Sequence, residues 1–161
     1  MLTFTVPGKP TQMGSKRAFI VGGKDTKPRA VITDTNSKAR QQWANAVAAQ
    51  ASEAMAGRAV LTGPIELRAQ FYFLRPKSHY GTGRNAGTVK AAAPVHHTQT
   101  PDLDKLARCL CDALTGIVYR DDKQVHVLDV TRQWTTEQAH TRVWVADTLE
   151  VRGDTSPNRT L

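Results

Sequence analysis

Apolar and polar residues alternate along GPIELRAQFYFLRP (63–76). Ile65, Leu67, Ala69, Phe71 and Phe73 lie on one side, with Glu66, Arg68, Gln70 and Tyr72 on the other. A period of two predicts a strand with one buried face, rather than the continuous apolar run of a strand buried on both faces. LTFTV (2–6) alternates in the same way and is ended by Pro7 and Pro10. RAFIV (17–21) and RAVIT (29–33) read as a short hairpin around Gly22-Gly23. QVHVLDVTRQW (124–134) and HTRVWVADTLEV (140–151) read as two further strands, with 135–139 as their hairpin loop. Between these the period lengthens to that of a helix. TNSKARQQWANAVAAQASEAMAG offers Asn36 or Ser37 as N-cap and Gly57 as the stop, with Ala39, Trp43, Ala46, Val47, Gln50 and Ala54 on one stripe. So many alanines suit close packing on a sheet or on a second subunit. A second helix, 102–115, buries Leu103, Leu106, Ala107, Leu110 and Leu114 and stops at Gly116. The order of elements predicts one α+β domain over 1–152, with a mixed, largely antiparallel sheet, two main helices and a polar, frayed tail at 153–161.

One segment has no period. RPKSHYGTGRNAGTVKAAAPVHHTQT (75–100) contains no acid and carries Arg75, Lys77, Arg84, Lys90 and three histidines. A loop of this length inside a domain is functional or disordered, and a flexible basic loop that orders on a polyanion is the expectation. The adjacent His96 and His97 are poorly placed to share one metal ion. The charge of the whole chain agrees with such a partner. Over 161 residues, 22 Lys+Arg stand against 14 Asp+Glu, for a formal net charge of +8. That balance favours nucleic acid. No amphipathic helix sets a broad apolar face against a basic one, and no apolar run approaches a membrane span, so no membrane role is expected. The N-terminus lacks the basic and apolar regions of a secretory signal. Cys109 and Cys111, about 200° apart on a helix, read as reduced cytoplasmic thiols.

Against this basic background the acids of TPDLDKLARCLCDALTG (100–116) and VYRDDKQV (118–125) stand out. Each cluster has an ordinary explanation. Asp102 can cap the helix, Asp104 can sit in its favourable first turn and pair with Arg108, and Asp121-Asp122 can form a turn. Taken together they allow another. Mg²⁺ prefers oxygen ligands, Asp102 ends an extended segment, Asp104 opens the helix, and a short return after the helix can bring Asp122 alongside. Such a site would orient a water and neutralise charge at a phosphodiester, with Arg108, one turn beyond Asp104, placed to stabilise phosphate charge. Asp-x-Asp phosphatases and glycosyltransferases place their motif after a hydrophobic strand, whereas HHTQTP precedes it here.

The run PDLDKLARCLCDALTGIVYRDDKQV resembles the signature of the RusA-type Holliday junction resolvases. Pro101, Asp102, Leu103, Asp104, Asp112-Ala113-Leu114, Asp121-Asp122 and Gln124-Val125 carry the match. The opening strand, ending in VPGKP, resembles the family's start more weakly. The resemblance implies a RusA-like α+β fold and a bacterial or phage-encoded cytoplasmic endonuclease. Such an enzyme works as a homodimer that cuts four-way DNA junctions symmetrically, using Mg²⁺ (or Mn²⁺) and no nucleotide cofactor. It implies Asp102, Asp104 and Asp122 as metal ligands, with Asp121 interchangeable with Asp122 at this stage, and Arg108 beside them. Lys16, Arg17, Lys77, Arg84, Lys105 and Arg132 are the candidate DNA contacts. The sequence departs from the signature twice: Lys105 replaces an Asn, and Arg108 replaces a Lys with a planar fork that does not deprotonate. A basic DNA- or RNA-binding protein of the same fold without catalysis is the alternative.

Overall fold

The computed structural model describes residues 1–13, 16–22, 27–34 and 37–148. The expected tail, 153–161, and the side chains of Lys16 and Arg17 lie outside the described residues. In chain order the elements are β1 (Leu2–Pro7), β2 (Lys16–Val21), β3 (Arg29–Asp34), α1 (Ser37–Met55), β4 (Ile65–Leu74), α2 (Leu103–Leu114), β5 (Val125–Thr135) and β6 (His140–Asp147). The main sheet has the order β1-β6-β4-β5. β4 is antiparallel to β6 and parallel to β5, and β1 is antiparallel to β6. β2 and β3 form the separate antiparallel hairpin that the sequence implied. The α+β class with a mixed sheet is therefore present.

β4 explains the rest of the sheet. Ile65, Leu67, Ala69, Phe71 and Phe73 are all buried, and a row with no polar break needs cover along its whole length. α1 and α2 supply it from one side, with α1 packing on both α2 and β1. Trp43 of α1 meets Phe71 with ring centroids 6.1 Å apart. Leu106, Leu110 and Leu114 of α2, Phe4 and Val6 of β1, and Val143 and Val145 of β6 complete the core. Successive parallel strands need a long crossover, and β4 reaches β5 through the 75–100 segment and α2.

Three expectations change. The link 135–139 does not close a hairpin, because β4 lies between β5 and β6; the best apolar row takes the central position. On α1 the buried residues are Trp43, Val47, Ala51 and Met55, while Ala39 is exposed and Gln50 only half-buried. The stripe follows the larger side chains. Third, the 75–100 segment carries local structure of its own against the sheet. It contains two single 3₁₀ turns, Lys77–His79 and Gly83–Asn85. Tyr80 bridges Val89, and His96 bridges Gln133 of β5. Arg75 donates to Pro94 O (3.0 Å) and Lys90 to Ser78 O (3.0 Å).

Because Phe71 is fully buried in the middle of the central strand, Phe71→Ala is expected to lower stability by about 3–5 kcal/mol. Urea unfolding followed by far-UV circular dichroism would measure this, and a loss below about 1 kcal/mol would show that the row does not carry the core.

Candidate active site at the first turn of α2

Asp102 occupies the N-cap position of α2 with extended dihedrals (φ −70°, ψ 136°), yet its side chain makes no capping hydrogen bond. The carboxylate instead takes the Lys105 ammonium, with Nζ 2.6 Å from Oδ2. That contact, a hydrogen bond first and a charge attraction second, holds the Lys105 pKa above the ordinary lysine value. The backbone N–H of Asp102 donates to Oε1 of Gln12, which ties the helix entrance to the segment leaving β1. Asp104 and Arg108 are exposed on successive turns of the same helix.

The second acid pair divides its labour. Asp121 Oδ1 accepts the N–H of Lys123 (3.0 Å), and its Oδ2 pairs with the Lys123 ammonium (3.1 Å). Gln124 Oε1 accepts the Asp121 N–H in return (2.9 Å). The Lys123 backbone donor, then its side chain, holds the Asp121 carboxyl below its usual range. Gln124 also donates through Nε2 to Leu61 O (3.1 Å) and Gly63 O (2.8 Å). Asp121 and Gln124 therefore lock the start of β5, and Asp122 is the exposed carboxylate of the pair. Its negative charge helps raise the pKa of Cys111 and Tyr119, although burial is the main cause at both. Burial likewise pushes the Cys109 thiol up to about 11, so it is an inert core group. Tyr119 is buried and donates to Cys111 O (3.1 Å).

The three carboxylates are hard oxygen donors of the kind Mg²⁺ takes. They are not gathered into a preformed site: among the described residues no three His, Cys, Asp or Glu side chains lie together as a metal-binding group. α2 spans 12 residues, about 18 Å. Asp102 and Asp104 stand at its first turn, whereas Asp122 acts on Cys111, in its second half.

The remaining sequence candidates occupy different settings. Lys77 and Arg84 are exposed on the 75–100 segment. Arg132 is built into the protein: its Nη1 donates to Gln99 O (3.0 Å) and Pro101 O (2.6 Å), holding the irregular segment that leads into Asp102. Its place follows from β5, whose helix-side row pairs Val130 with Ala69, Arg132 with Phe71 and Trp134 with Phe73. His79 and His97 serve packing. His97 is buried, with its ring 4.3 Å from Phe73 and 4.2 Å from Trp134. His79 stands edge-on to Trp134 at 5.0 Å. Gln12 and this ring cluster were not singled out by the sequence, and Gln124 was marked only as part of the family signature. Gln12 meets Asp102 across 90 residues, and nothing local announces such a pairing.

Between 7 and 146 the sequence matches the family described as endodeoxyribonuclease RusA. The chain belongs to the RusA endodeoxyribonuclease family. It is also similar to the uncharacterised protein YqaN of Bacillus subtilis (strain 168), with 28% identity over 136 residues, covering 84% of this chain and 89% of that protein. The RusA-family match contains both acid clusters, α2 between them, and the strand that carries Arg132.

The two donor bonds of Arg132 are charge-assisted, so Arg132→Ala is expected to cost about 1.5–3 kcal/mol. Hydrogen exchange should quicken at 97–102 first. Unchanged exchange there would show that the guanidinium does not hold the segment.

Proposed function

We infer that this RusA-family chain is a Mg²⁺-dependent, structure-selective endodeoxyribonuclease that resolves four-way DNA junctions as a homodimer by symmetric cuts. The observation that carries the reading is the family match across 7–146, with the signature acids on both sides of α2. Asp102, Asp104 and Asp122 are the proposed ligands, and Mn²⁺ would satisfy the same donors. A bound ion would supply charge neutralisation at the phosphodiester and acidify a water. Arg108, exposed beside Asp104, would take phosphate charge. Lys77, Arg84, Lys105 and Arg132, with Lys16 and Arg17 of the hairpin, would hold the DNA backbone. Two equivalent cuts in a two-fold junction call for two equivalent chains, and Val127 and Leu128, exposed on edge strand β5, offer a surface for a second copy. The nuclease domain would run through 1–152. No helix among the described residues is long and apolar enough to cross a membrane, and a cytoplasmic site of action fits the two free cysteines.

A second reading, a junction-binding protein without catalysis, is favoured by one contact: the Lys105 ammonium already occupies Asp102, where a metal would sit. The pair is partly exposed, so the competition is modest. Lys105→Asn is expected to tighten Mn²⁺ binding by about 2–5-fold, the range of an exposed ion pair, as followed by isothermal titration calorimetry without DNA. Equal affinity in both proteins would mean that Lys105 does not guard the site.

The decisive experiment is cleavage of a synthetic four-way junction beside a linear duplex of the same sequence, with and without Mg²⁺. Paired, metal-dependent cuts confined to the junction are expected. Asp104→Asn should reduce them by more than about 100-fold while the junction is still retarded on a native gel. Tight binding with no cuts under any metal would support the binding-only reading.

A further inference from the structure

A cleft of about 590 Å³ opens at the C-terminal ends of β4 and β5, within the size range of small-ligand sites. Its apolar wall is aromatic, formed by Phe73, His97 and Trp134. Lys9, Gln99 and Gln138 supply polar groups and are exposed. His97 is only 4% exposed, and its buried Nδ1 has no hydrogen-bond partner among the described residues. Burial, then the charge of Arg132, lowers its pKa, with a smaller effect from Lys9. The imidazole is thus kept neutral, with one nitrogen able to donate and the other to accept.

The cleft is continuous with the proposed site of cutting. Thr100 lines it, Pro101 follows, and Asp102 comes next. Arg132 fastens Gln99 and Pro101, on either side of that step. The opposite wall, Gly8 and Lys9, belongs to the segment that reaches Gln12 and, through it, the Asp102 N–H. Two separate stretches of chain therefore connect the aromatic cleft to the first turn of α2. Thr100, on the cleft wall, lies within about 7 Å of backbone from Asp102, so a nucleotide with its phosphate near Asp102 would have its neighbour's base close to the cleft.

We propose that this cleft receives one unstacked nucleobase next to the cut phosphodiester, stacked against the half-buried Trp134, which His97 backs, with its edge read by Gln99 and Gln138. Every base presents a π-face, so the rings supply affinity without sequence preference. The two amides, each with donors and an acceptor, supply the choice of base. Lys9 meets the adjoining phosphate. Bases at a branch point have lost stacking partners, so extruding one there is cheaper than from an intact duplex. An aromatic side chain of a protein partner would suit the rings but would leave the amides without a role.

The inference rests on the junction-nuclease reading, and its test separates the two. Four-way junctions carrying a single abasic site, placed in turn at each position within three nucleotides of the crossover, are titrated against the full chain in EDTA, so that no cutting intervenes. At one position the abasic site is expected to weaken binding about 5–100-fold, the worth of one base–aromatic stack. Trp134→Leu should erase that penalty while the intact junction still binds. Gln99→Ala combined with Gln138→Ala, both at exposed positions, should keep the penalty but flatten the preference among the four bases at that position. This second variant keeps the idea testable should Trp134→Leu not fold. Abasic junctions bound as tightly as intact ones at every position, or a penalty that survives Trp134→Leu, would overturn the base cleft and leave the nuclease reading standing. No binding of any junction would overturn the nuclease reading itself, and the cleft with it.

Discussion

An unbroken row of apolar side chains on β4 needs cover from one side, and the other features answer that need. Five residues from Ile65 to Phe73 are buried in the row. Each of the four larger side chains is worth about 1.5–3 kcal/mol when removed from water, so the sheet gains most by placing β4 in the interior and both helices over it. With β4 flanked by β6 and β5, the parallel β4–β5 pair obliges the chain to return over the core face, and α2 is that return. The first turn of α2, with Asp102 and Asp104, consequently stands near the C-terminal ends of the parallel pair.

Polar chemistry gathers where the apolar cover ends. Along the helix-side row of β5, Val130 is followed by Arg132 and then Trp134. Arg132 turns its charge onto the carbonyls of Gln99 and Pro101. Trp134 donates Nε1 to His96 O (3.2 Å) and carries the ring cluster that pins the long segment in place. One edge strand thus joins the packing of the core to the position of the candidate catalytic acids. Around them a positive surface provides long-range attraction for a polyanion, while the carboxylates provide the local negative charge. Lys105 on Asp102 keeps that negative charge partly compensated.

The regular elements were legible in the sequence because their periods are local and strong. β1, β4, β5, β6 and both helices appear within a few residues of where alternation and capping put them, and the acids at the mouth of α2 were visible as a charge anomaly in a basic chain. Asp121 and Asp122 were not separable by sequence. Only the reciprocal bonds of Asp121 with Lys123 and Gln124 show which of the two is committed to the turn. The 75–100 segment looked unstructured because it has no period. It is held by contacts that have none: ring stacking on Trp134, a bridge to Gln133 and side-chain bonds to carbonyls.

The sequence by itself determined the fold class, the buried faces of β4 and of α2, the basic character of the surface and the residues that carry the family signature. These depend on spacing within a few residues, which the chain states directly. Tertiary structure alone decided that β4 separates β5 from β6, that Gln12 holds the Asp102 backbone, that Arg132 serves as an internal clamp, and that Phe73, His97 and Trp134 surround one cleft. Those facts join residues tens of positions apart, and their geometry is set by how helices and strands pack to cover β4, a property of the assembled core that no short window contains.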